Sequence, residues 1–209
     1  MPKDTFFNLP LDKRELITSV AVDEFARHSY SHASINRIVG NSGIAKGSFY
    51  QYFEDKQDLF FYILQKMAAE KITYLTPLIQ NVSELDFFEL LRQIHKAALK
   101  FAMEYPQYAA IGSHLLKDRE SKIYRETIST NFSGGMEFYR ALLEDAIKRG
   151  QVRQDIDVQM LAYFITLINN SMVEYYTEYV SDQFDETMLA SIDQFINFIE
   201  HGLSASKTD

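Results

Sequence analysis

Lys46, Ser48, Tyr50, Tyr52 and Lys56 fall within one short stretch, NSGIAKGSFYQYFEDK, residues 41–56. Ammonium, hydroxyl and phenol groups all donate hydrogen bonds, and donors at this density suit phosphate oxygens. The setting looks unfavourable, because the 209-residue chain carries a formal net charge of −8. The charge is uneven, however. Residues 1–56 hold seven Lys/Arg and seven Asp/Glu, whereas residues 57–209 hold fourteen against twenty-two. A neutral first quarter can present a local basic face to a polyanion, while the acidic remainder limits indiscriminate adhesion.

Other chemistries find little support. The chain has no cysteine, which removes disulfides, thiolate metal sites and cysteine nucleophiles. It contains no His-Glu-x-x-His, no Gly-rich phosphate loop and no Gly-x-Ser-x-Gly. Its carboxylates sit at salt-bridge spacing from Lys or Arg, as on a solvated helix face. No enzyme, metal site or cofactor is expected. Nor does any run of about 18 apolar residues or basic-then-apolar leader occur, so a soluble, cytoplasmic protein is expected.

The elements that must carry the donors are helical. Apolar residues recur at helical spacing and sustained alternation is missing, which predicts an all-α fold of about nine helices. Leu16, Ile17, Val20, Ala21 and Phe25 mark the face of a first helix over 11–28. Ser34 is placed to cap a short helix carrying Ile35, Ile38 and Val39. Gly43 turns the chain into a two-turn helix over 45–52. Asp55 and Asp58 open a long helix to about Leu75, before Pro77. Beyond it, Ser83 with Asp86 starts a helix to Tyr105, and a shorter segment reaches Leu116. A helix over 120–149 contains Gly134-Gly135 and ends at Gly150. Asp155 or Asp157 caps a helix to Val180, and Asp185 caps the last, closed by Gly202. Residues 203–209 read as a frayed tail. The expected division is 1–56 and 57–209.

Short helix, glycine turn, short helix is the helix-turn-helix arrangement, whose second helix enters the major groove of DNA. Ala45, Lys46, Gly47 and Ser48 lead that helix. They are small or basic, so a backbone can approach closely; Gly47 costs about 1 kcal/mol of helix propensity relative to alanine. Phe49 and Phe53 point inward with Ile38 and Ile44. Tyr50 lies on another face, and Tyr52 either joins it or is half-buried. Lys56 opposes the dipole at its helix start, a cost that a docked phosphate reverses.

Residues 14–60 resemble the DNA-binding domain of the TetR family of bacterial transcriptional regulators. The likeness runs through Arg14, Ile17, Ala21, Phe25, Ser34-Ile35, Ile38, Gly43-Ile44-Ala45-Lys46-Gly47-Ser48-Phe49-Tyr50, Tyr52-Phe53, Lys56 and Asp58-Leu59. Ser29, Val39 and Ser42 depart from the usual glycine and alanines. The resemblance implies DNA contacts from Lys46, Gly47, Ser48, Tyr50, Gln51 and Tyr52, and phosphate contacts from Ser34 and Lys56. It also implies a homodimer whose helical C-terminal domain binds a small ligand, with repression relieved by that ligand.

The rest of the chain is rich in Tyr, Phe and Met, suiting an apolar or aromatic ligand. His95, Met103, Tyr108, Phe132, Met136, Tyr139, Asn169, Met172 and Tyr176 are the candidate lining; ordinary helix packing is the competing reading for each. One of Asn169 and Asn170 must find hydrogen bonds in the interior or at a partner. Segments 158–180 and 185–201 are apolar on more than one face, which predicts a helical homodimer interface there. Two-fold symmetry then calls for a palindromic operator. The alternative is a helix-turn-helix regulator controlled by a protein partner, or constitutive.

Overall fold

A computed structural model describes residues 1–80, 85–181 and 185–203, apart from the side chains at 128–131, 170 and 177. Ten helices and no strand occur among the described residues. They are α1 (Asp4–Phe7), α2 (Leu11–Arg27), α3 (Ile35–Asn41), α4 (Lys46–Tyr52), α5 (Lys56–Gln80), α6 (Phe87–Glu104), α7 (Pro106–Lys117), α8 (Lys122–Lys148), α9 (Val158–Tyr179) and α10 (Met188–Leu203). The helix missing from the expected nine is α1, four residues long and too short to show a period.

The chain separates into two compact units, Met1–Thr73 with Glu104–Tyr124, and Tyr74–Met103 with Arg125–Asp209. In the first, α2 buries Ile17, Thr18, Ala21, Glu24 and Phe25. The expected strip began at Leu16, which instead is exposed. Glu24 takes a place in the buried strip because cationic and amide donors meet it there. Phe25 and Phe60 pack edge to face, 4.8 Å apart. α7 begins with Pro106 at its first turn, where a missing N–H costs nothing. His114 on α7 donates from Nε2 to the Ala26 carbonyl at 3.0 Å.

The second unit packs Leu90, Leu91, Leu143, Ala146, Ala162, Ile165, Tyr176, Ile192 and Ile196 into one core. Asp86 caps α6 through the amides of Phe88 and Glu89. Asp157 caps α9 by accepting from the Met160 amide at 2.9 Å, while Asp155 pairs with Arg153 instead. Asp185 accepts from the Thr187 amide ahead of α10. Gly150 adopts φ +71° past the end of α8, as its place after Arg149 suggested. Gly135 brings α9 close: a Cβ there would lie 3.1 Å from Thr166 Cγ2.

Three details differ from the sequence reading. Pro77 lies inside α5, which continues to Gln80. A proline within a helix costs about 3 kcal/mol, but Leu75 and Leu78 on either side pack against the second unit's core and offset it. Ser34 holds the N-cap position of α3 without a side-chain cap bond. Gly202 lies within the last turn of α10 rather than ending it. Ser83, the Asn170 side chain and the tail from 204 lie outside the described residues.

Candidate nucleic-acid interface

α4 is held from within by aromatic side chains. Phe49 and Phe53 are fully buried with Ile38, and their rings lie 5.5 Å apart. Ile44, expected beside them, is only half-buried. Phe6 of α1 packs 4.8 Å from Phe53 and 6.2 Å from Tyr52. Tyr52 is consequently 7% exposed, the more buried of the two readings left open for it. The outer face is bare: Lys46, Gly47, Tyr50 and Gln51 are exposed, and Ser48 is half-buried. A Cβ on Gly47 would meet nothing within 4 Å. Lys46, Gly47, Tyr50 and Gln51 thus form one exposed surface of small, cationic and hydrogen-bonding groups.

The two short helices are set by Gly43, whose φ of +66° few other residues tolerate. The Ile44 amide closes the turn on the Val39 carbonyl at 3.1 Å. Buried Ser42 donates to the Ile38 carbonyl at 2.7 Å, so the serine in place of alanine is satisfied locally.

α1 closes the far end of α4, a feature that helical periodicity could not reveal. The Lys3 amide donates to the Tyr52 carbonyl at 2.8 Å and the Lys3 ammonium to the Tyr50 carbonyl at 2.9 Å. The Thr5 hydroxyl donates to the Gln51 carbonyl. Three carbonyls left over at the helix end are satisfied, and the Lys3 cation sits where the dipole favours it.

Glu24 fixes α3 against α2. It accepts from Arg37 Nη2 at 2.6 Å, from Arg37 Nε at 2.9 Å and from the Ser34 amide at 2.7 Å. Burial pulls the Glu24 carboxyl up, but the Arg37 and Ser34 hydrogen bonds outweigh it and hold the group below its ordinary value. The Ser34 amide is thereby used, while its half-buried side chain makes no cap bond.

Lys56 is tied into the same region. Its ammonium donates to the carbonyls of Ser31 and Ala33, at 3.3 and 3.0 Å, and lies 4.7 Å from the Tyr30 ring centre. Burial lowers its pKa, with the Glu24 charge acting the other way. Internal acceptors therefore compensate this cation at the start of α5. Asp55 accepts from the Asp58 amide at 2.8 Å, and Asp58 reaches back to the Glu54 amide at 3.1 Å, a reciprocal cap.

The nine candidate lining residues scatter. His95, Asn169 and Tyr139 do converge: His95 Nε2 lies 2.5 Å from Asn169 Oδ1, and Asn169 Nδ2 donates to the Tyr139 hydroxyl at 2.7 Å. Burial pushes the Tyr139 phenol up to about 12, against a smaller lowering by Asn169. Met136 packs against the core, and Met172 and Tyr176 are buried within it. The Tyr176 hydroxyl is spent on Asp185 and Thr187 ahead of α10. Phe132 stacks edge-on with Tyr163 at 5.2 Å. Met103 is exposed. Tyr108 belongs to the first unit, where it lines a cleft.

Comparison with known proteins bears directly on this surface. The family model for bacterial regulatory proteins of the tetR family matches residues 17–63, from within α2 through α3 and α4 to the start of α5. A TetR family transcriptional regulator from Chloroflexus aurantiacus J-10-FL is 30% identical, with 98% of this chain and 99% of that one covered and a TM-score of 0.70. The chain belongs to the TetR family. It is a helix-turn-helix, DNA-binding transcriptional regulator, not an enzyme. The fatty acid metabolism regulator protein of Bacillus subtilis is 23% identical over 156 residues, 71% of this chain and 75% of that protein. The fatty acid degradation regulator FadR of Bacillus halodurans shares the fold, with a TM-score of 0.72, 19% identity, and 93% and 98% of the two chains covered. No helix among the described residues is long and apolar enough to cross a membrane.

Proposed function

We propose that the protein is a homodimeric repressor, released from a palindromic operator by a small apolar or aromatic ligand. The observation carrying the DNA reading is the bare outer face of α4, where Lys46, Gly47, Tyr50 and Gln51 project from an aromatic anchor. Lys46, Gln51 and Ser48 address base edges and nearby phosphates; Tyr50 and Ser34 address phosphates. Tyr52 and Lys56, both largely engaged internally, contribute through the tyrosine's remaining edge and through field. Residues 1–56 act as the DNA-binding domain and 57–209 as the ligand-binding and dimerisation domain.

The dimer reading rests on an apolar surface along α9 and α10. Met160, Tyr163, Phe164, Leu167 and Ile168 are exposed on α9, and Phe198 on α10 is 74% exposed. A second copy would cover such a surface. The ligand reading rests on polar His95, Asn169 and Tyr139 meeting beside an otherwise apolar core. Relatives named as regulators of fatty acid metabolism and degradation make fatty acids and their acyl derivatives the first class to test. Ligand acts through α5, one helix that begins at Lys56 and continues to Gln80. A coupling of about 1–3 kcal/mol would suffice.

The test is selection of bound sequences from random duplexes, then release of the selected duplex by added acyl compounds. A palindromic consensus with release supports the whole reading. A palindrome that no compound releases leaves the regulator under a protein partner or constitutive, and an unrelated sequence pool overturns the DNA assignment.

A further inference from the structure

The first unit contains a cleft of about 640 Å³, within the range of small-molecule sites. Leu11, Arg14, Glu15, Thr18, Ser19, Val22 and Asp23 supply one wall from a single face of α2. Tyr62 and Lys66 of α5, Phe7, and Tyr105, Gln107 and Tyr108 around the start of α7 supply the rest. Every lining residue belongs to this unit, so the cleft is separate from His95, Asn169 and Tyr139.

The charges of the cleft are not equally available. Arg14 donates from Nη1 to the Phe7 carbonyl at 3.1 Å, and Lys66 is paired with Glu70 at 3.4 Å. Glu15 and Asp23 are exposed and enter no ion pair or hydrogen bond among the described residues. They sit eight residues apart on α2, a separation of roughly 12 Å along the helix. Aromatic rings line the same cleft: Tyr105 and Tyr108 stack at 5.6 Å, and Tyr62 meets Phe7 edge-on at 6.4 Å. Burial, and after it the Glu70 charge, raise the Tyr108 phenol above its ordinary value, so the ring enters the cleft neutral.

We infer that this cleft binds a linear organic dication with an apolar midsection, its cationic ends at Glu15 and Asp23 and its middle against the tyrosines. Carboxylates supply the charge partners, and the tyrosine rings cover the apolar midsection. Lys66 is matched by Glu70 and Arg14 is held on the Phe7 carbonyl, which leaves the two carboxylates of the cleft facing one unmatched cation. One wall of the cleft is α2, whose Glu24 holds α3 through Arg37 and the Ser34 amide, so occupancy bears on the same head that carries the DNA surface.

The experiment is calorimetric titration of the full chain at low salt with decamethonium, two quaternary ammonium groups on one long alkyl chain. Sebacate, a dianion of similar length, is the charge-reversed control. One decamethonium per chain is expected, weakened about tenfold by Glu15→Gln/Asp23→Asn. Glu178→Gln/Glu186→Gln removes the same charge outside the cleft and should leave the affinity unchanged. Absence of saturable binding overturns the inference. So does equal binding to the cleft variant, equal loss in both variants, or preference for sebacate. None of these outcomes depends on the operator or on the acyl-ligand reading.

Discussion

Glu24 on α2 and Arg37 on α3 are joined by guanidinium donors at 2.6 and 2.9 Å, with Glu24 only 6% exposed. The same carboxylate holds the Ser34 amide that begins α3. One acidic side chain therefore sets the helix preceding the turn into α4. Replacing Glu24 by Gln removes the charge that compensates the donors. A loss of about 1–3 kcal/mol is expected, read as a lower urea midpoint with an unchanged slope.

The same pair carries a pH signature. The folded carboxyl is held below its ordinary value of 4.5. Its contribution is therefore complete above pH 4.5 and is lost as pH falls below that and through the lower folded value. The stabilities of the wild type and Glu24→Gln should converge as pH falls through the folded carboxyl's lowered value, and a gap that stays constant from neutral pH into the acid range would assign the stabilisation to something other than charge.

Gly43 and Gly47 should respond oppositely to alanine. Gly43 sits at φ +66°, so Gly43→Ala should destabilise by about 1–2 kcal/mol. Gly47 is helical with open space around a built Cβ, so Gly47→Ala should hold or raise the melting temperature. If α4 lies in the groove, Gly47→Ala also weakens operator binding, separating the two effects in one variant. Melting curves beside a DNA titration read both.

Phe198 tests the dimer. A side chain 74% exposed in one chain adds nothing to that chain's core. Phe198→Glu should therefore keep its helical circular dichroism and sediment as a monomer, and the wild type should sediment as a dimer. Identical sedimentation of the two would place the interface elsewhere.

The sequence was most legible where spacing and residue type reinforced each other. Gly43, Phe49 and Phe53 announced the turn and the anchored helix, and Asp86, Asp157 and Gly150 announced helix ends. It was least legible where distant partners decided the outcome. Glu24 reads as surface until Arg37 arrives from thirteen residues away. α1 has only four helical residues, yet Lys3 and Thr5 cap a helix more than forty positions later. Pro77 reads as a stop until Leu75 and Leu78 meet a core built from other helices. For the effector candidates, composition named His95, Asn169 and Tyr139, but could not tell them from Tyr176, whose hydroxyl serves the approach to α10.

The most direct measurement is a DNA titration of the wild type beside Lys46→Ala, using the chain's own upstream DNA and a selected duplex, at several salt concentrations. The account predicts saturable wild-type binding with a steep salt dependence. Lys46→Ala should bind more weakly at every salt, with the slope of log K against log salt shallower by about one. Wild type and Lys46→Ala binding both DNAs equally, with the same slope, would contradict the placement of α4 against DNA.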